Sequence, residues 1–352
     1  MISDLIPVIT VDLDLPAKER WIDPGREIAP LVQSLAESAL QVAGEILPPF
    51  FQPLLKSNRS SLIPNPLCRL ISKEMTEEAN GLSQVTGVPV SQLVLSNCTY
   101  DFTQLCSAAV YQDPKQRPVM IRYMDWDLPE DIAKYTIQVD YVRSGVPAYS
   151  SLGFAGFLGV VTAFSPKWAL AMNQAPSEHL RAAHPLKKAS LLAATPTTYA
   201  MRQLCDRATS YSQLREGLKK VQSMTPFLAL LCGSKSGQAA RIERPRRQMA
   251  SIKIMRRGEV LSLTNHYLSK NHLHLNDEGE WANEDGEIWS SDFSKGRLCK
   301  VEELAAKFSS SLPLPSMAKL KRKPVFWDLT VHTSIMRPAS NECRFANHHR
   351  KK

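Results

Sequence analysis

The sequence changes character at Cys106, and this change constrains the fold more than any other feature. Upstream, apolar residues between Ile28 and Leu47 recur at intervals of three and four, which is the pattern of one helix face. Downstream, short runs of β-branched and aromatic residues are separated by Asp-Pro, Ser-Gly and Ser-Pro turns, which is typical of strands. The sequence therefore predicts a mostly helical segment, residues 1–105, followed by a strand-rich domain, residues 106–352.

The order of the predicted elements indicates how the two parts are layered. Helices are predicted at 28–47, 77–84, 90–100, 187–208, 211–224 and 296–309. After an edge strand at 8–15, strands are predicted at 107–111, 118–123, 135–143, 148–154, 159–164, 168–172, 227–232, 239–242, 252–255, 260–264 and 327–335. A basic tail follows the last strand. Strands, then helices, then strands again predict an α+β fold with two layers of sheet and helices outside them.

Composition and charge limit the class of protein and its partners. The chain has 352 residues, 43% of them hydrophobic, which is enough for a large core, and no apolar run is long enough for a membrane span. The first ten residues lack the pattern of an export signal, so we expect a cytoplasmic protein as written, lysosomal or secreted only if a signal has been removed. The net charge of +9 suits an anionic partner, either a membrane surface or nucleic acid, and charge alone does not choose between them.

Two segments bear on that membrane contact. The apolar stretch from Ile46 to Leu55, with Phe50 and Phe51, is either a helix end packed on the core or a surface that meets lipid. The basic run from Arg241 to Arg257 has no interleaved aromatic residues, so we interpret it as a solvated hairpin edge and expect no nucleic-acid partner.

The common enzyme motifs are missing from this chain. There is no Gly-x-Ser-x-Gly elbow, Walker loop, dinucleotide glycine fingerprint or His-Glu-x-x-His. His272 and His274 suggest two metal ligands at most, so a polar turn is the favoured interpretation, and we expect neither a metal nor another cofactor. The seven cysteines include no Cys-x-x-Cys pair and indicate no disulfide framework.

One constellation remains. Cys106 opens a predicted strand, and Arg122 and Asp125 lie on the next strand, 16 and 19 residues further on. With Val11-Asp12-Leu13-Asp14-Leu15-Pro16 and Arg20-Trp21 near the start, this pattern resembles the acid ceramidase and N-acylethanolamine acid amidase family, whose C-terminal part is shared with choloylglycine hydrolases and penicillin V acylases. Further similarities, in the same order as in the family, are Thr86-Gly87-Val88-Pro89, Phe154 to Gly159 with Asn173, Thr264-Asn265-His266-Tyr267 and Thr330-Val331-His332-Thr333.

The resemblance implies a fold and a reaction. The fold is the four-layer αββα sandwich of N-terminal nucleophile hydrolases, in which the precursor cuts itself before the cysteine, here at Leu105–Cys106. The two resulting chains, α and β, stay associated. The free α-amine of Cys106 then acts as the base, so no histidine is needed. The reaction implied is hydrolysis of the amide bond of an N-acyl lipid, of the ceramide or N-acylethanolamine type, to a fatty acid and an amine.

The resemblance also assigns roles to five further residues. Asp125 orients the α-amine, Arg122 favours the thiolate, and Asn173 and Asn265 surround the scissile carbonyl. Arg297 is assigned to the role of the family's arginine after Asn265, although that arginine follows more closely in relatives. Arg122 and Asp125 lie three apart, so they share one strand face only where the backbone bends.

Departures from the family pattern leave the substrate open. Gln174-Ala175 replaces an acidic and a basic residue of acid ceramidases, and Ser107-Ala108-Ala109 replaces the Thr-Ser-Ile of the amidases. Two alternatives therefore stand beside the lipid amidase. One is an amidase of the choloylglycine hydrolase or penicillin V acylase type, and the other is a non-catalytic lipid-binding relative.

Overall fold

A computed structural model describes residues 6–46, 71–99, 105–126, 131–175, 194–276, 281–282, 288–289, 291–311 and 313–349. Within these ranges the helices are α1 (Ile22–Ile46), α2 (Lys73–Thr86), α3 (Val90–Thr99), α4 (Thr197–Arg207), α5 (Tyr211–Lys220) and α6 (Ser291–Ser309). The strands are β1 (Val8–Asp12), β2 (Ser107–Gln112), β3 (Pro118–Asp125), β4 (Thr136–Arg143), β5 (Val146–Phe154), β6 (Thr162–Phe164), β7 (Trp168–Gln174), β8 (Phe227–Gly233), β9 (Ala239–Arg244), β10 (Ser251–Ile254), β11 (Leu261–Leu263), β12 (Trp281–Ala282), β13 (Ile288–Trp289), β14 (Thr330–Arg337) and β15 (Glu342–Asn347).

The long strands form two sheets. The larger sheet has the order β1-β4-β5-β6-β7-β8-β9-β10, and the smaller has the order β11-β2-β3-β14-β15. β1 runs parallel to β4 at the edge of the larger sheet, as expected for an edge strand, and the other paired strands described are antiparallel. Because β1 precedes Cys106 and β4 follows it, the two predicted parts of the chain share one sheet.

The side-chain alternation of the strands places the two sheets face to face. Ala108 and Val110 of β2 pack in one buried cluster with Ala169 and Ala171 of β7, between the sheets. The intervening residues, such as Tyr111, pack against α6 on the other face. The outer face of the larger sheet is covered by α1 to α5. The layers are therefore helix, sheet, sheet, helix, and the predicted α+β sandwich with outer helices is confirmed.

The turn between α2 and α3 shows how a predicted motif acts locally. The Oγ of Ser72 accepts a hydrogen bond from the backbone of Met75 at 3.2 Å and caps the start of α2. Gly87 follows the last residue of α2 with a φ of 72°, a left-handed conformation that glycine adopts without the penalty of a Cβ. The Thr86-Gly87-Val88-Pro89 sequence therefore ends one helix and leads into the next.

Several predicted element boundaries differ from the structure; for example, α1 begins at Ile22 and α6 at Ser291, before the predicted residues 28 and 296. The helix predicted from residue 187 begins at Thr197 in the described part of the chain, and residues 176–193 lie outside the described ranges. The helix predicted to reach residue 224 ends at Lys220, because Val221 is extended. The predicted basic tail is wrong: Asn341 adopts a left-handed conformation, and the chain returns as β15, antiparallel to β14.

The segments connected with membrane contact have different outcomes. Residues 47–55 of the predicted apolar segment lie outside the described ranges. The basic run forms the β9–β10 hairpin, as interpreted from the sequence, and Arg244 donates to the carbonyl of Val221 at 2.9 Å. None of the described helices combines the length and the apolar character that a membrane span requires.

Candidate active site

Cys106 lies immediately before β2, where the smaller sheet faces the larger one, and it is fully buried. Because β2 pairs with β3 so that Ser107 is opposite Tyr123, Cys106 reaches the end of β3. Its Sγ lies 3.5 Å from the Sδ of Met124 and 3.8 Å from the backbone oxygen of Asp125. Its peptide nitrogen donates to the Oδ1 of Asn265 at 2.9 Å. The thiol and the nitrogen therefore have separate, defined surroundings.

On the side of the larger sheet, Arg122 and Asn173 connect the two sheets at the cysteine. The Nη1 of Arg122 donates to the Oδ1 of Asn173, and Nη2 donates to the backbone oxygen of Met172 at 2.8 Å. The Nδ2 of Asn173 donates to the carbonyls of Cys106 at 2.9 Å and Thr264 at 2.8 Å. Arg122 and Asn173 are both fully buried. In the continuous chain, Asn173 thus holds the main chain of the cysteine itself.

On the side of α6, Arg297 contacts three polar side chains. Its Nη2 donates to the Oδ1 of Asn265 at 2.8 Å, and its Nη1 lies 3.2 Å from the Oγ of Ser107 and 3.5 Å from the Oδ2 of Asp125. The Oδ1 of Asn265 consequently accepts from both Arg297 and the nitrogen of Cys106. Arg297 and Asp125 are fully buried, so this ion pair is shielded from solvent.

The predicted bend between Arg122 and Asp125 has a counterpart in the neighbouring strand. The pairing of β14 with β3 shifts register between Thr330 and His332, next to Asp125. Arg122 still contacts the larger sheet while Asp125 contacts α6. Because Cys106 lies just before β2, beside the end of β3, Arg122 and Asp125 lie near it from opposite faces of β3. The two side chains therefore do not need to share one strand face.

Burial controls the protonation of the site. Burial raises the pKa of the Cys106 thiol, although the nearby Arg122 and Arg297 guanidinium groups oppose the rise. Burial also raises the pKa of Asp125 to about 6, against the opposing effect of Arg297. The pKa of Arg297 is lowered by burial, with Asp125 opposing. Two buried guanidinium groups and one carboxylate give a formal charge of 2 − 1 = +1, so the site is arranged to hold one further negative charge.

The structure brings the other five predicted site residues together around Cys106. Sequence reasoning missed Met124 and the Ser107 hydroxyl as contacts of this site, although both adjoin residues of the recognised pattern. His272 and His274 lie at a short helical turn, where His272 contacts Glu243 and His274 contacts Gln248. In the described ranges, no three His, Cys, Asp or Glu side chains converge as a metal site would require.

The fold of the site has a solved counterpart. The Caenorhabditis elegans ortholog of N-acylethanolamine-hydrolyzing acid amidase aligns with a TM-score of 0.52 and 21% sequence identity, over 66% of this chain and 93% of that chain. The architecture is therefore that of the N-terminal nucleophile hydrolases, as the resemblance implied. No protein-family model matches the chain.

Among curated proteins, the chain is similar to acid ceramidases, which confirms the resemblance predicted from the sequence. The acid ceramidases of Heterocephalus glaber and Mus musculus are each 24% identical over 270 residues. The similarity covers 70% of this chain in both, and 65% and 66% of the relatives, respectively. The chain thus spans slightly less than two thirds of the length of these relatives.

Proposed function

We propose that this protein is an amidase that hydrolyses N-acyl lipids with Cys106 as its nucleophile, after cutting its own chain before that residue. The observation that carries the proposal is the arrangement at Cys106. Its thiol is fully buried at the end of a strand, and two arginines, an aspartate and two asparagines surround it. A structural cysteine needs none of these charged neighbours.

The first step is activation at the Leu105–Cys106 bond. The thiol attacks the carbonyl carbon of Leu105, the C–N bond breaks as the acyl group moves to sulfur, and water hydrolyses the resulting thioester. This sequence leaves a carboxylate on Leu105 and a free α-amine on Cys106. The nitrogen of Leu105 lies 3.4 Å from the backbone oxygen of Asp125, which holds the peptide beside the thiol.

The second step uses that α-amine as a general base. The nitrogen lies 2.9 Å from the Oδ1 of Asn265, a neutral acceptor that Arg297 also contacts. The cation disfavours an ammonium group, and the model-peptide pKa of an α-amine is already only about 7.7 to 8.0, so the amine stays available as a base. Because burial raises the pKa of the thiol, this amine takes the thiol proton when Cys106 attacks the substrate. In the earlier cut, before the amine is free, the thiol proton goes to the departing peptide nitrogen.

Hydrolysis of the substrate follows the same chemistry. The thiolate adds to the amide carbonyl, the protonated amine delivers its proton to the leaving nitrogen, and the C–N bond breaks. Water then releases the fatty acid from the thioester. We assign Arg122 to stabilising the thiolate. Asp125 pairs with Arg297 and so holds that cation near the amine. Asn173 and Asn265 are assigned to binding the developing oxyanion. The Nδ2 groups of both asparagines bind main-chain carbonyls in the continuous chain, so this last role requires release from those carbonyls.

Similarity to acid ceramidases and to an N-acylethanolamine-hydrolyzing amidase supports an N-acyl lipid as the substrate. The net charge of +9 supports contact with an anionic membrane surface, from which such a substrate is drawn.

A buried charge cluster supports continued association of the two chains after cutting. We call it the Glu78 cluster, and it contains Arg20, Glu78, Arg202 and Asp206. Glu78 accepts from Arg20 at 2.8 Å and from Arg202 at 3.2 Å, and Arg202 also bonds Asp206 at 2.8 Å. Arg20 and Glu78 precede the cut and Arg202 and Asp206 follow it. The pairing of β1 with β4 joins the same two chains.

The experiment is an assay of the purified protein against ceramides, N-acylethanolamines, conjugated bile salts and penicillin V, with Cys106→Ala and Cys106→Ser as matched controls. We expect the wild type to release fatty acid from at least one N-acyl lipid and both variants to be inactive. Turnover of only the bile salts or penicillin V would replace the lipid assignment. Lipid binding without any turnover would overturn the enzyme proposal.

A further inference from the structure

The space between the sheets contains buried polar groups that the proposed reaction does not use. His332 and Ser334 of β14 and Thr162 of β6 are at most 1% exposed. Both ring nitrogens of His332 and the hydroxyls of Ser334 and Thr162 have no hydrogen-bond partner within the described ranges. The Nε of Arg122 is also without one in the described structure. Because buried polar groups in native proteins are almost always satisfied, these atoms point to a polar ligand between the sheets.

These groups lie on connected parts of the inner sheet faces. Ser334 is paired with Arg122 and His332 with Met124, so both face the larger sheet, as Arg122 does. Two residues further along β14, Met336 continues the same face and packs in the buried cluster between the sheets. The inner face of β14 therefore leads from the active site, through two unpartnered polar side chains, to Met336.

A cavity begins where this face ends. It has a volume of about 200 Å³, and its lining includes Met336 of the smaller sheet and Thr162 of the larger one. Gln138 and Ser150 add further polar groups to its wall. Cys343 also lines the cavity and is exposed, so the cavity reaches the surface. A cavity that is both polar and many times larger than the space a single water occupies is suited to ordered water.

We propose that this cavity and the inner face of β14 form a water path to Arg122, and that the water which hydrolyses the acyl-enzyme enters along it. Alternate residues of a strand are roughly 6.7 Å apart, a distance that a chain of about two waters can bridge by hydrogen bonds. The imidazole of His332, whose pKa burial lowers to about 3, stays neutral and provides one donor and one acceptor for such waters.

The path supplies one reactant of the second half of the reaction, and this inference rests on the proposed function. The oxygen of the water bonds to the thioester carbonyl carbon, and the C–S bond breaks. One proton of the water passes to the α-amine of Cys106 and from there to the sulfur. The products are the carboxylic acid and the free thiol, so the path affects deacylation and leaves acylation unchanged.

The experiment separates the two half-reactions with the decanoyl amide of 7-amino-4-methylcoumarin. Rapid mixing measures the first release of the coumarin, which reports acylation, and acid quenching with intact mass measures the acyl group on the Cys106 fragment. Ser334→Leu fills the path, Ser334→Ala removes its hydroxyl, and Thr162→Val removes a hydroxyl at nearly constant volume. Thr333→Val is the matched control, because Thr333 is fully buried on the opposite face of β14, where its hydroxyl contacts His348 at 3.0 Å.

We expect Ser334→Leu to slow deacylation about tenfold or more, so that the acyl-enzyme accumulates while the acylation rate stays within about twofold of wild type. Ser334→Ala and Thr162→Val should slow deacylation less, and Thr333→Val should change neither step. If Ser334→Leu does not fold, the combined Ser334→Ala and Thr162→Val variant carries the test.

Deacylation at the wild-type rate in all path variants, with normal turnover, would overturn the water path alone and place water entry on the side from which the amine departs. A wild type that releases no coumarin and forms no acyl adduct would overturn the proposed function together with this inference.

Discussion

The Glu78 cluster and the charged side chains around Cys106 are balanced differently. In the Glu78 cluster, two arginines meet two carboxylates, and Glu78 also accepts from the indole of Trp21 at 2.8 Å. Around Cys106, two arginines meet the single carboxylate of Asp125. One cluster is electrically neutral, and the other keeps one surplus positive charge.

The two clusters also differ in how completely their hydrogen-bond donors are satisfied. In the Glu78 cluster, Arg202 uses Nε and both Nη atoms, bonding Asp206, Glu78, the hydroxyl of Tyr141 and the carbonyl of Leu158. At the active site, the Nε atoms of Arg122 and Arg297 have no hydrogen-bond partner in the described ranges. A fully satisfied network holds a structure together, whereas surplus charge with free donors suits an anion formed during a reaction. The comparison thus distinguishes the Glu78 cluster, whose polar groups are satisfied, from the candidate active site, whose surplus charge and free donors fit the proposed reaction.

The largest effect on stability is expected for a variant that removes the charge balance of the Glu78 cluster. Glu78→Gln keeps the side-chain size but removes the carboxylate that Arg20 and Arg202 share, and we expect a loss of about 3 to 5 kcal/mol in the free energy of unfolding. Urea unfolding measures it, in a Cys106→Ala background that keeps the chain continuous. Glu74→Gln is the control, since Glu74 pairs with Arg20 at the surface and should cost less than about 1 kcal/mol. Equal losses in both variants would remove the distinction between the clusters.

The next effect changes the charge of the active site. Asp125→Asn raises the surplus from one positive charge to two and removes the charge that fixes Arg297, so we expect a loss in amide turnover of about 10²-fold or more. Its stability should fall far less than that of Glu78→Gln, because burial already disfavours the ionised Asp125. Turnover and urea unfolding are measured on the same preparation. A fully active variant would reduce Asp125 to a structural ion pair.

A smaller effect is the pH dependence that Asp125 gives to the free energy of unfolding. Its pKa of about 6 in the folded protein lies above the ordinary value of 3.8, so the folded state binds the proton more tightly than the unfolded state. Its contribution to stability is therefore present near pH 4 and is lost as the pH rises through 6, by at most about 1.4 kcal/mol per pH unit.

The measurement compares Cys106→Ala with the Cys106→Ala, Asp125→Asn double variant in urea at pH 4, 5, 6 and 7. The free energy of unfolding of Cys106→Ala minus that of the double variant should fall from pH 4 to 6 and be flat above 6. The buried His266 and His332, whose pKa values are lowered, are present in both proteins and largely cancel. A difference that does not vary with pH would show that Asp125 ionises normally.

The two clusters also differ in how well the sequence predicts them. Cys106, Arg122 and Asp125 lie within 20 residues on adjacent strands, and the family resemblance assigns their roles from the sequence alone. Glu78 and Arg202 are 124 residues apart and belong to no motif, so only tertiary packing brings them together. Two signals are local. Arg20-Trp21 is part of the family pattern, and Arg202 and Asp206 lie four apart on the predicted helix, which is the spacing of an ion pair.

Local pattern also predicts most elements of the fold but not their partners. The β-branched and aromatic runs of β2 and β3 predict two strands, whereas their placement between β11 and β14 depends on contacts distant in sequence. The sequence does not predict β15, which includes the charged Glu342 and Arg344 and is nowhere fully buried. An edge strand with this pattern looks the same in sequence as a disordered tail. The hydrogen bond from Cys106 to Asn265 spans 159 residues and no spacing rule predicts it.

The central claim is that Cys106 cuts the chain and then acts as its new N-terminus, and the most direct test is the mass and N-terminal sequence of the purified protein. We predict two fragments of about 12 and 28 kDa from the 39.3 kDa wild-type chain, the larger beginning at Cys106, and a single intact chain for Cys106→Ala. An active wild type that remains one uncut chain, with no N-terminus at Cys106, would contradict the account.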